Sequence, residues 1–353
     1  MSEVQVRPWH GPRILAVGVV SYFVSTGLNF SILGIFIRPA AEAFSASMAT
    51  MGTLPSFYHV VTALIGPLLG DRYARGSIRR FMLFGSCLLP LGLVAVSRAD
   101  SLIFAAACYG SATVVGSYMM GPLASNTLVT NWYGPSRGRS LGIIATGATA
   151  AGILLPTIAA FWIEAFGWRD ALALLALGSL LVTLPVFGLL VVDRPEQIGQ
   201  SPEAFADELP LRAAIGADPA PASTGEILRM PHFWAIAAGF GLLFSSSLIS
   251  ITFTVPYAEQ LGLSLQGGAY VLAARSLAAV AGQVSLGWLS DRIGRRPVLL
   301  AAIGVETACW LAVVNAPNIL VFTLAGVGIG FVSGSFAPLR GALVARVFGR
   351  RDF

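Results

Sequence analysis

The sequence predicts an all-helical integral membrane protein with about ten transmembrane helices in two bundles. The 353-residue chain is 56% hydrophobic and 11% charged, whereas soluble domains carry roughly a quarter charged residues. Its mean hydropathy is +0.76. Apolar runs of about 20 residues recur along the chain, and each can cross a bilayer as a helix. A water-soluble fold would leave too much apolar surface uncovered.

Ten apolar segments account for the predicted spans. Gly and Pro occur within them, which membrane helices tolerate because neighbouring helices satisfy the freed backbone groups. The first segment is too long for the apolar part of a signal peptide and lacks a clear cleavage site, so we expect it to be retained. The predicted spans are residues 14–37, 48–70, 79–97, 101–125, 139–163, 168–192, 232–256, 267–290, 296–314 and 317–340.

The arginines indicate the orientation of these spans. The chain has no Lys, and most arginines lie at the N-terminus, in the long central loop or after even-numbered spans. Only Arg38, Arg98 and Arg169 lie in loops on the opposite side. By the positive-inside rule, we expect a multi-pass protein of the inner (plasma) membrane with a cytoplasmic N-terminus. The charge of +5 is confined to loops, so no nucleic-acid partner is expected.

One long polar segment divides the chain into two parts. Residues 193–231 are Pro- and Ala-rich with mixed charge, which is typical of a flexible linker. A regulatory site within it is the alternative. We therefore predict a six-helix bundle over residues 1–192, a cytoplasmic central loop over 193–231, and a four-helix bundle over 232–353.

Two charged loops repeat between the halves. Span 8 ends in Gly287–Arg296, with the pattern G-x-x-x-D-R-x-G-R-R, and span 2 ends in the related segment Gly70–Arg80. Charge of this density is too costly inside hydrocarbon, so both segments are predicted at the membrane edge. The pattern resembles the loop signature of the major facilitator superfamily, a family of secondary transporters. The resemblance implies gating-loop roles for Asp71, Arg75, Arg79, Asp291, Arg292, Arg295 and Arg296.

Further segments are similar to the monocarboxylate-transporter and oxalate:formate-antiporter branch of that superfamily. They are Trp132–Gly142, Gly167–Arg169, Phe233–Trp234 and Leu261–Ser264. In this branch an arginine of span 8 binds the substrate carboxylate, and Gln283 stands at that position. Glutamine can hydrogen-bond a carboxylate without neutralising it. The second half has four spans where the first has six, so we expect a twelve-span protein that lacks its last two helices; a ten-span architecture is the alternative.

Arg275 is the main candidate for binding a substrate. It lies about eight residues into span 8, roughly 12 Å deep. A permanent charge at that depth requires a counter-ion, a water-filled cavity or an anionic ligand. Gln283 lies two turns further along, offset by about 80°, so both side chains could face one cavity. The alternative for Arg275 is a structural pairing with backbone carbonyls or a neighbouring acid.

Other polar residues lie within predicted spans. His59 could carry a proton or form a bond between helices. Glu306 could be protonated, locally bonded or paired with Arg275. Asn29 and Tyr118 lie on spans that line the cavity in the superfamily, and each could contact substrate or serve helix packing. Tyr22, Asn126 and Tyr257 are weaker candidates.

The sequence predicts no enzyme and no cofactor. It has no P-loop and no cluster with metal-ligand spacing, and Cys87, Cys108 and Cys309 lie inside apolar spans. We predict a transporter of a small organic anion that works by alternating access, as a proton-coupled carrier or an exchanger. The alternatives are a non-transporting membrane receptor or degenerate fragment, and a drug or sugar carrier of the same superfamily.

Overall fold

The computed structural model describes residues 9–134, 136–203, 229–316 and 318–336. Every regular element in these ranges is a helix. The side chains of a few helical residues lie outside the description, among them Asp71, Arg75, Asp291 and Arg295. The predicted gating roles of these four residues therefore stay predictions.

Ten α-helices and one 3-10 helix lie in the described residues between 9 and 203. Two π-helical segments, Gly27–Ser31 and Tyr109–Val114, join α1 to α2 and α6 to α7, and the 3-10 helix is Pro195–Ile198. The α-helices are α1 Gly11–Thr26, α2 Leu33–Ala43, α3 Met48–Met51, α4 Leu54–Arg75, α5 Ile78–Ser97, α6 Leu102–Cys108, α7 Val115–Met120, α8 Pro122–Trp132, α9 Arg137–Phe166 and α10 Trp168–Leu190.

Four long helices follow in the second part of the described chain. They are α11 Pro231–Gln260, α12 Leu265–Ile293, α13 Arg295–Val314 and α14 Ile319–Ser333. Each of the ten predicted spans overlaps a helix or a continuous helical run. The helical run that contains the first predicted span, 14–37, is longer than predicted. It continues from α1 through the π segment and α2 and ends at Ala43.

Eight helices of the described residues are long and apolar enough to cross a membrane. Two predicted spans fall outside that set. Helix α4 is 22 residues long but carries Tyr58 and His59 in its first two turns, and α14 has 15 residues. The eight are Gly11–Ser31, Ile78–Ser97, Leu102–Trp132, Arg139–Phe166, Trp168–Leu190, Pro231–Gln260, Leu265–Ser290 and Arg296–Val314.

The chain divides into two compact units. Unit 1 consists of Met1–Ala151 and Phe161–Leu209, and unit 2 consists of Gly152–Ala160 and Pro210–Phe353. The predicted boundaries at residues 192 and 232 stay a prediction. In unit 1 the largest interhelical packing is between α5 and α10, and in unit 2 between α12 and α14.

Glycines allow α12 and α14 to approach closely. A Cβ atom on Gly282 would overlap the carbonyl oxygen of Phe331, and one on Gly330 would overlap the backbone and side chain of Arg275. Helices in lipid gain no hydrophobic energy by associating, so small residues that permit close van der Waals contact stabilise such pairs. The glycine-rich stretch from Gly326 to Gly330 therefore serves packing at Gly330.

Gly294 forms the turn in the charged loop at the end of α12. This residue is the only one between α12 and α13, with φ +93° and ψ 154°. Such backbone angles are essentially restricted to glycine, because a Cβ atom would be strained there. The glycine in the pattern D-R-x-G-R-R thus makes a one-residue turn between two long helices.

The first residues of the predicted central loop bind to unit 1. Trp132 Nε1 donates to the backbone carbonyl of Val192 at 2.8 Å, and the side-chain amide of Asn131 donates to the backbone carbonyl of Asp193 at 3.0 Å. Further along, the N–H and hydroxyl of Ser136 donate to Glu203 Oε2 at 3.0 and 2.7 Å. This end of the loop is therefore fixed to the end of α8.

We expect Gly282→Ala to destabilise the protein, because the α12–α14 contact has no space for a methyl group. Overpacking of this kind costs about 1–3 kcal/mol, which should lower the thermal midpoint measured in detergent by several degrees. Gly287→Ala on the same helix is the matched control, since a Cβ atom there meets nothing within 4 Å. Equal midpoints for the two variants would contradict this packing.

Candidate functional site

Arg275 on α12 is the central residue of a polar network inside unit 2. Its side chain is 3% exposed. Nε donates to Ser250 Oγ at 2.9 Å, and Nη2 makes two longer contacts, 3.4 Å to the carbonyl of Ser247 and 3.5 Å to Ser333 Oγ. All three partners are neutral, so they do not balance the charge of the guanidinium.

Glu306 on α13 forms the acidic part of the same network. It is 4% exposed and close enough to attract Arg275 electrostatically. However, no ion pair joins Arg275 to a carboxylate of the described residues. The Glu306 carboxylate instead accepts a hydrogen bond from Ser246 Oγ at 2.7 Å, and Ser246 Oγ accepts one from Trp310 Nε1 at 2.6 Å.

The serines of α11 hold this network together. Ser246, Ser247 and Ser250 lie within one helical turn and a half, so one helix offers groups both to Glu306 and to Arg275. Small hydroxyl residues form such interhelical bonds in membranes, because the polar groups find no water in hydrocarbon. Arg275 also packs closely against Gly330 of α14, where a side chain larger than hydrogen would overlap the arginine.

Arg275 is therefore a buried charge that its neighbours compensate only partly. Burial of an ion carries a penalty of several kcal/mol, which is offset only by close pairing and complete hydrogen bonding. One good hydrogen bond and two long ones do not complete the five donors of a guanidinium. No described residue accepts a hydrogen bond from Arg275 Nη1.

Gln283 does not join the Arg275 network. It lies two turns further along α12, is half-buried, and forms none of the hydrogen bonds described for Arg275. Beyond it Arg292 and Arg296 are exposed, and the guanidinium of Arg292 lies 3.9 Å from the centroid of the Trp288 ring. Such a stacked arginine keeps its charge at the surface.

Unit 1 contains a second polar network, and it is neutral. The Asn29 amide donates to the carbonyl of Ser25 at 2.8 Å and to Ser117 Oγ at 2.7 Å. Asn29 is fully buried, yet its Oδ1 atom has no hydrogen-bond partner in the described residues. Ser21 and Ser125 extend the network by a hydrogen bond of 2.6 Å between their hydroxyls.

A π-helical segment carries Asn29, and another lies just before Ser117. Such segments add one residue to a helical turn and often occur at functional sites. Asn29 lies within Gly27–Ser31, and Tyr109–Val114 ends three residues before Ser117. Tyr109 OH and Thr113 Oγ1 on the second segment are buried without a hydrogen-bond partner among the described residues.

The other predicted residues of unit 1 lie around this network. The His59 ring is stacked on Phe30 at a centroid distance of 5.8 Å, next to Asn29 in sequence. The Tyr118 hydroxyl lies against Gly66 of α4. Tyr22 OH donates to Asn126 Oδ1 at 3.0 Å. His59 thus contacts Phe30, the residue after Asn29, whereas Tyr118 adjoins Ser117 and faces α4.

Arg79 is bound within unit 1. Its backbone N–H donates to Asp193 Oδ1 at 2.7 Å, and its guanidinium donates to the carbonyl of Gly188. Asp193 therefore caps the N-terminus of α5, where a carboxylate is stabilised by the free backbone N–H groups and the helix dipole. These bonds fix the start of α5 to the end of α10.

Sequence analysis missed the residues that connect the candidate side chains. Ser246, Ser250 and Trp310 in unit 2 and Ser25 and Ser117 in unit 1 are the main ones. The run Phe244-Ser245-Ser246-Ser247 inside an apolar span was a usable signal, because serine clusters in spans often bond between helices. No comparable pattern marks Trp310.

Apolar helices in two units, each with a polar network buried among its spans, define a multi-pass membrane protein of the transporter class. The family comparison is more specific. The family model of the Major Facilitator Superfamily matches residues 18–274 and 238–353, and the chain belongs to that superfamily. The predictions of an all-helical membrane fold, of this superfamily and of a protein that is not an enzyme are therefore confirmed.

Two relatives illustrate the sequence identity and the share of each chain that is aligned. Agnestins efflux protein AgnL12 of Paecilomyces divaricatus is 24% identical over 359 residues, which cover 97% of this chain and 75% of that protein. Monocarboxylate transporter 12-B of Danio rerio is 25% identical over 318 residues, which cover 83% of this chain and 64% of that protein. The alignments thus cover about two thirds to three quarters of these relatives.

A solved structure shares the fold. It is a bacterial homologue of the human lysosomal transporter Spinster, in an inward-facing and unoccupied conformation. The TM-score is 0.75 at 19% sequence identity, over 98% of this chain and 77% of that one. At this level of identity the likeness establishes the fold of a major facilitator transporter.

We expect Arg275→Met to leave the protein as stable as before or more stable. Replacing buried ionic groups by apolar ones of similar size is often neutral or stabilising by about 1–4 kcal/mol. Glu306 forms no ion pair with Arg275 and keeps its hydrogen bond from Ser246 in the variant, so the change removes a buried charge without breaking a direct pair. Thermal unfolding of the purified protein without added ligand measures this. A loss of several degrees would instead identify Arg275 as a structural residue.

Proposed function

We propose that the chain is a secondary transporter of a small organic anion, such as a monocarboxylate, and that it works by alternating access. The observation that carries the proposal is Arg275, a buried guanidinium without a paired carboxylate in the described part of the chain. Natural proteins seldom keep such a charge in a membrane span unless it has a function. Similarity to a monocarboxylate transporter over 83% of the chain supports the same substrate class.

We propose Arg275 as the charged residue that binds the substrate. Gln283, which lies outside the Arg275 network, is proposed as a separate neutral hydrogen-bonding residue of unit 2. For unit 1 we propose separately that Asn29, Tyr118 and His59 contact a substrate. Asn29 Oδ1 is a buried acceptor with no described partner, so it suits a donor on the substrate. His59 is the proposed proton carrier if transport is coupled to protons. The loop residues around Arg79, Arg292 and Arg296 are proposed to influence access.

Transport assays in proteoliposomes test the substrate class. We expect counterflow of labelled monocarboxylates by the wild-type chain, and net uptake driven by an inward proton gradient if the carrier is proton-coupled. Counterflow without gradient-driven uptake would indicate exchange. If no organic acid is transported or bound, the proposal is wrong.

Arg275→Ala should lower the affinity for the anion at least 30-fold. Losing one partner of a buried, hydrogen-bonded charge pair costs about 2–5 kcal/mol, and 1.4 kcal/mol corresponds to a factor of about ten. Arg98→Ala is the matched control, because Arg98 pairs with Asp170 at 3.0 Å and both side chains are exposed. Unchanged affinity in Arg275→Ala, or an equal loss in the control, would remove Arg275 from the site.

We also propose that the protein lies in the inner (plasma) membrane with its N-terminus in the cytoplasm. The distribution of arginines supports this orientation. Alkaline phosphatase fused in the loop at Asp100 should be active, because that loop would lie outside the cytoplasm. The same enzyme fused in the loop at Gly76 should be inactive, and the opposite pattern would reverse the orientation.

A further inference from the structure

Unit 2 contains a cavity of about 320 Å³ beside the Arg275 network. Its walls come from α11, α13 and α14, and they are mostly apolar. The residues that matter here are Phe253 and Tyr257 on α11, Trp310 on α13, and Phe322 and Gly326 on α14. A cavity of this size is at the lower end of the range of about 300–1,000 Å³ in which small-molecule sites occur.

Ser250 makes one side of this cavity polar. It is 6% exposed, lines the cavity, and accepts the 2.9 Å hydrogen bond from Arg275 Nε. No described residue accepts a hydrogen bond from the Ser250 hydroxyl. A hydroxyl that accepts from a cation is a stronger donor, since hydrogen bonds in a chain polarise one another. This wall therefore offers a donor, backed by a positive charge, to an acceptor such as a carboxylate oxygen.

The remaining walls favour an apolar and flat ligand body. Tyr257 and Phe322 lie with ring centroids 5.1 Å apart at 48°, and Phe253 lines the same space. Aromatic rings pack against each other with an energy of about 0.5–1.5 kcal/mol beyond the area that they bury. Besides Ser250, the lining offers only the hydroxyls of Thr254 and Tyr257 and the indole of Trp310 as polar side-chain groups. A second carboxylate or a full set of sugar hydroxyls would therefore be largely desolvated here, which is costly.

We propose that this cavity receives the apolar body of an aromatic monocarboxylate whose carboxylate lies at Ser250 beside Arg275. The inference rests on the proposed function and narrows its substrate class. Short acids such as acetate would leave most of the cavity empty and gain nothing from its aromatic walls. Dianions and sugars would find too few polar partners in it.

Gly326 permits a clean test of the cavity. This buried glycine lines the wall, and a Cβ atom built on it meets nothing within 4 Å. Gly326→Val should therefore fill part of the cavity without disturbing the helices. Gly304→Val on α13 is the matched control, because Gly304 is exposed, outside the cavity lining, and equally free of neighbours within 4 Å of its Cβ position.

Binding of labelled phenylacetate and labelled acetate to the purified 353-residue chain gives the readout. We expect the wild type to bind phenylacetate at least tenfold more tightly than acetate. Gly326→Val should weaken phenylacetate binding about tenfold, the effect of one or two methyl groups in an apolar pocket, and change acetate binding less than twofold. Gly304→Val should change neither affinity.

Other outcomes overturn the inference. If the wild type prefers acetate, or if Gly326→Val weakens both acids equally or neither, the cavity does not hold the substrate body, while the proposed anion transport stands. If the wild type binds no acid, the proposed function fails as well. A co-purified lipid found by mass spectrometry in the wild type and absent in Gly326→Val would assign the cavity to an acyl chain instead.

Ser250→Ala provides a second variant that does not depend on filling the cavity. It removes the donor at the carboxylate and the acceptor of Arg275, while the apolar walls remain. We expect it to weaken phenylacetate and acetate by the same factor, so the preference for phenylacetate persists. A loss of that preference would show that the aromatic walls do not contribute to it.

Discussion

The lack of water in hydrocarbon governs this molecule. Backbone polar groups must find partners within the chain, so the spans are helical. Because lipid is as apolar as leucine, the helices associate through close contact and polar bonds rather than through hydrophobic burial. Glycines on α12 and α14 supply the close contact, and serines on α1 and α11 supply the bonds. The same serines then form the two buried polar networks.

A guanidinium cannot escape this constraint by losing its proton, because arginine stays protonated in proteins. Glu306 is close enough to lower the cost of the Arg275 charge but is bonded to Ser246 instead of to the arginine. A direct ion pair would neutralise Arg275 and compete with an anionic ligand. Because Glu306 is bonded to Ser246, its charge still stabilises the buried guanidinium of Arg275, but it does not occupy the N–H donors of that guanidinium. This separation is the feature of unit 2 that most favours a binding role.

The sequence predicted the helices and the depth of the charge, because both follow from hydropathy. Apolar runs located the spans, although the helical runs that end at Ala43 and Trp132 continue about six or seven residues beyond the predicted ends. Counting along span 8 identified Arg275 as deeply buried. It could not predict which helices pack together, so Ser250, Ser246 and Trp310 were missed. The π segments were also missed, since the extra residue at Asn29 leaves no mark in composition. Gln283 was expected beside Arg275 from an 80° offset, but packing gave it a separate, half-buried environment.

The two halves repeat in sequence at their charged loops, yet their polar networks differ. In each half the first long helix contributes serines, with Ser21 and Ser25 on α1 and Ser246 and Ser250 on α11. In unit 1 they bond to neutral partners, Asn29 and Ser117, and in unit 2 to Arg275 and Glu306. A neutral network can form hydrogen bonds with a ligand but does not attract an ion over distance. A charged network does attract an ion over distance. We therefore expect unit 2, rather than unit 1, to distinguish anionic from neutral substrates.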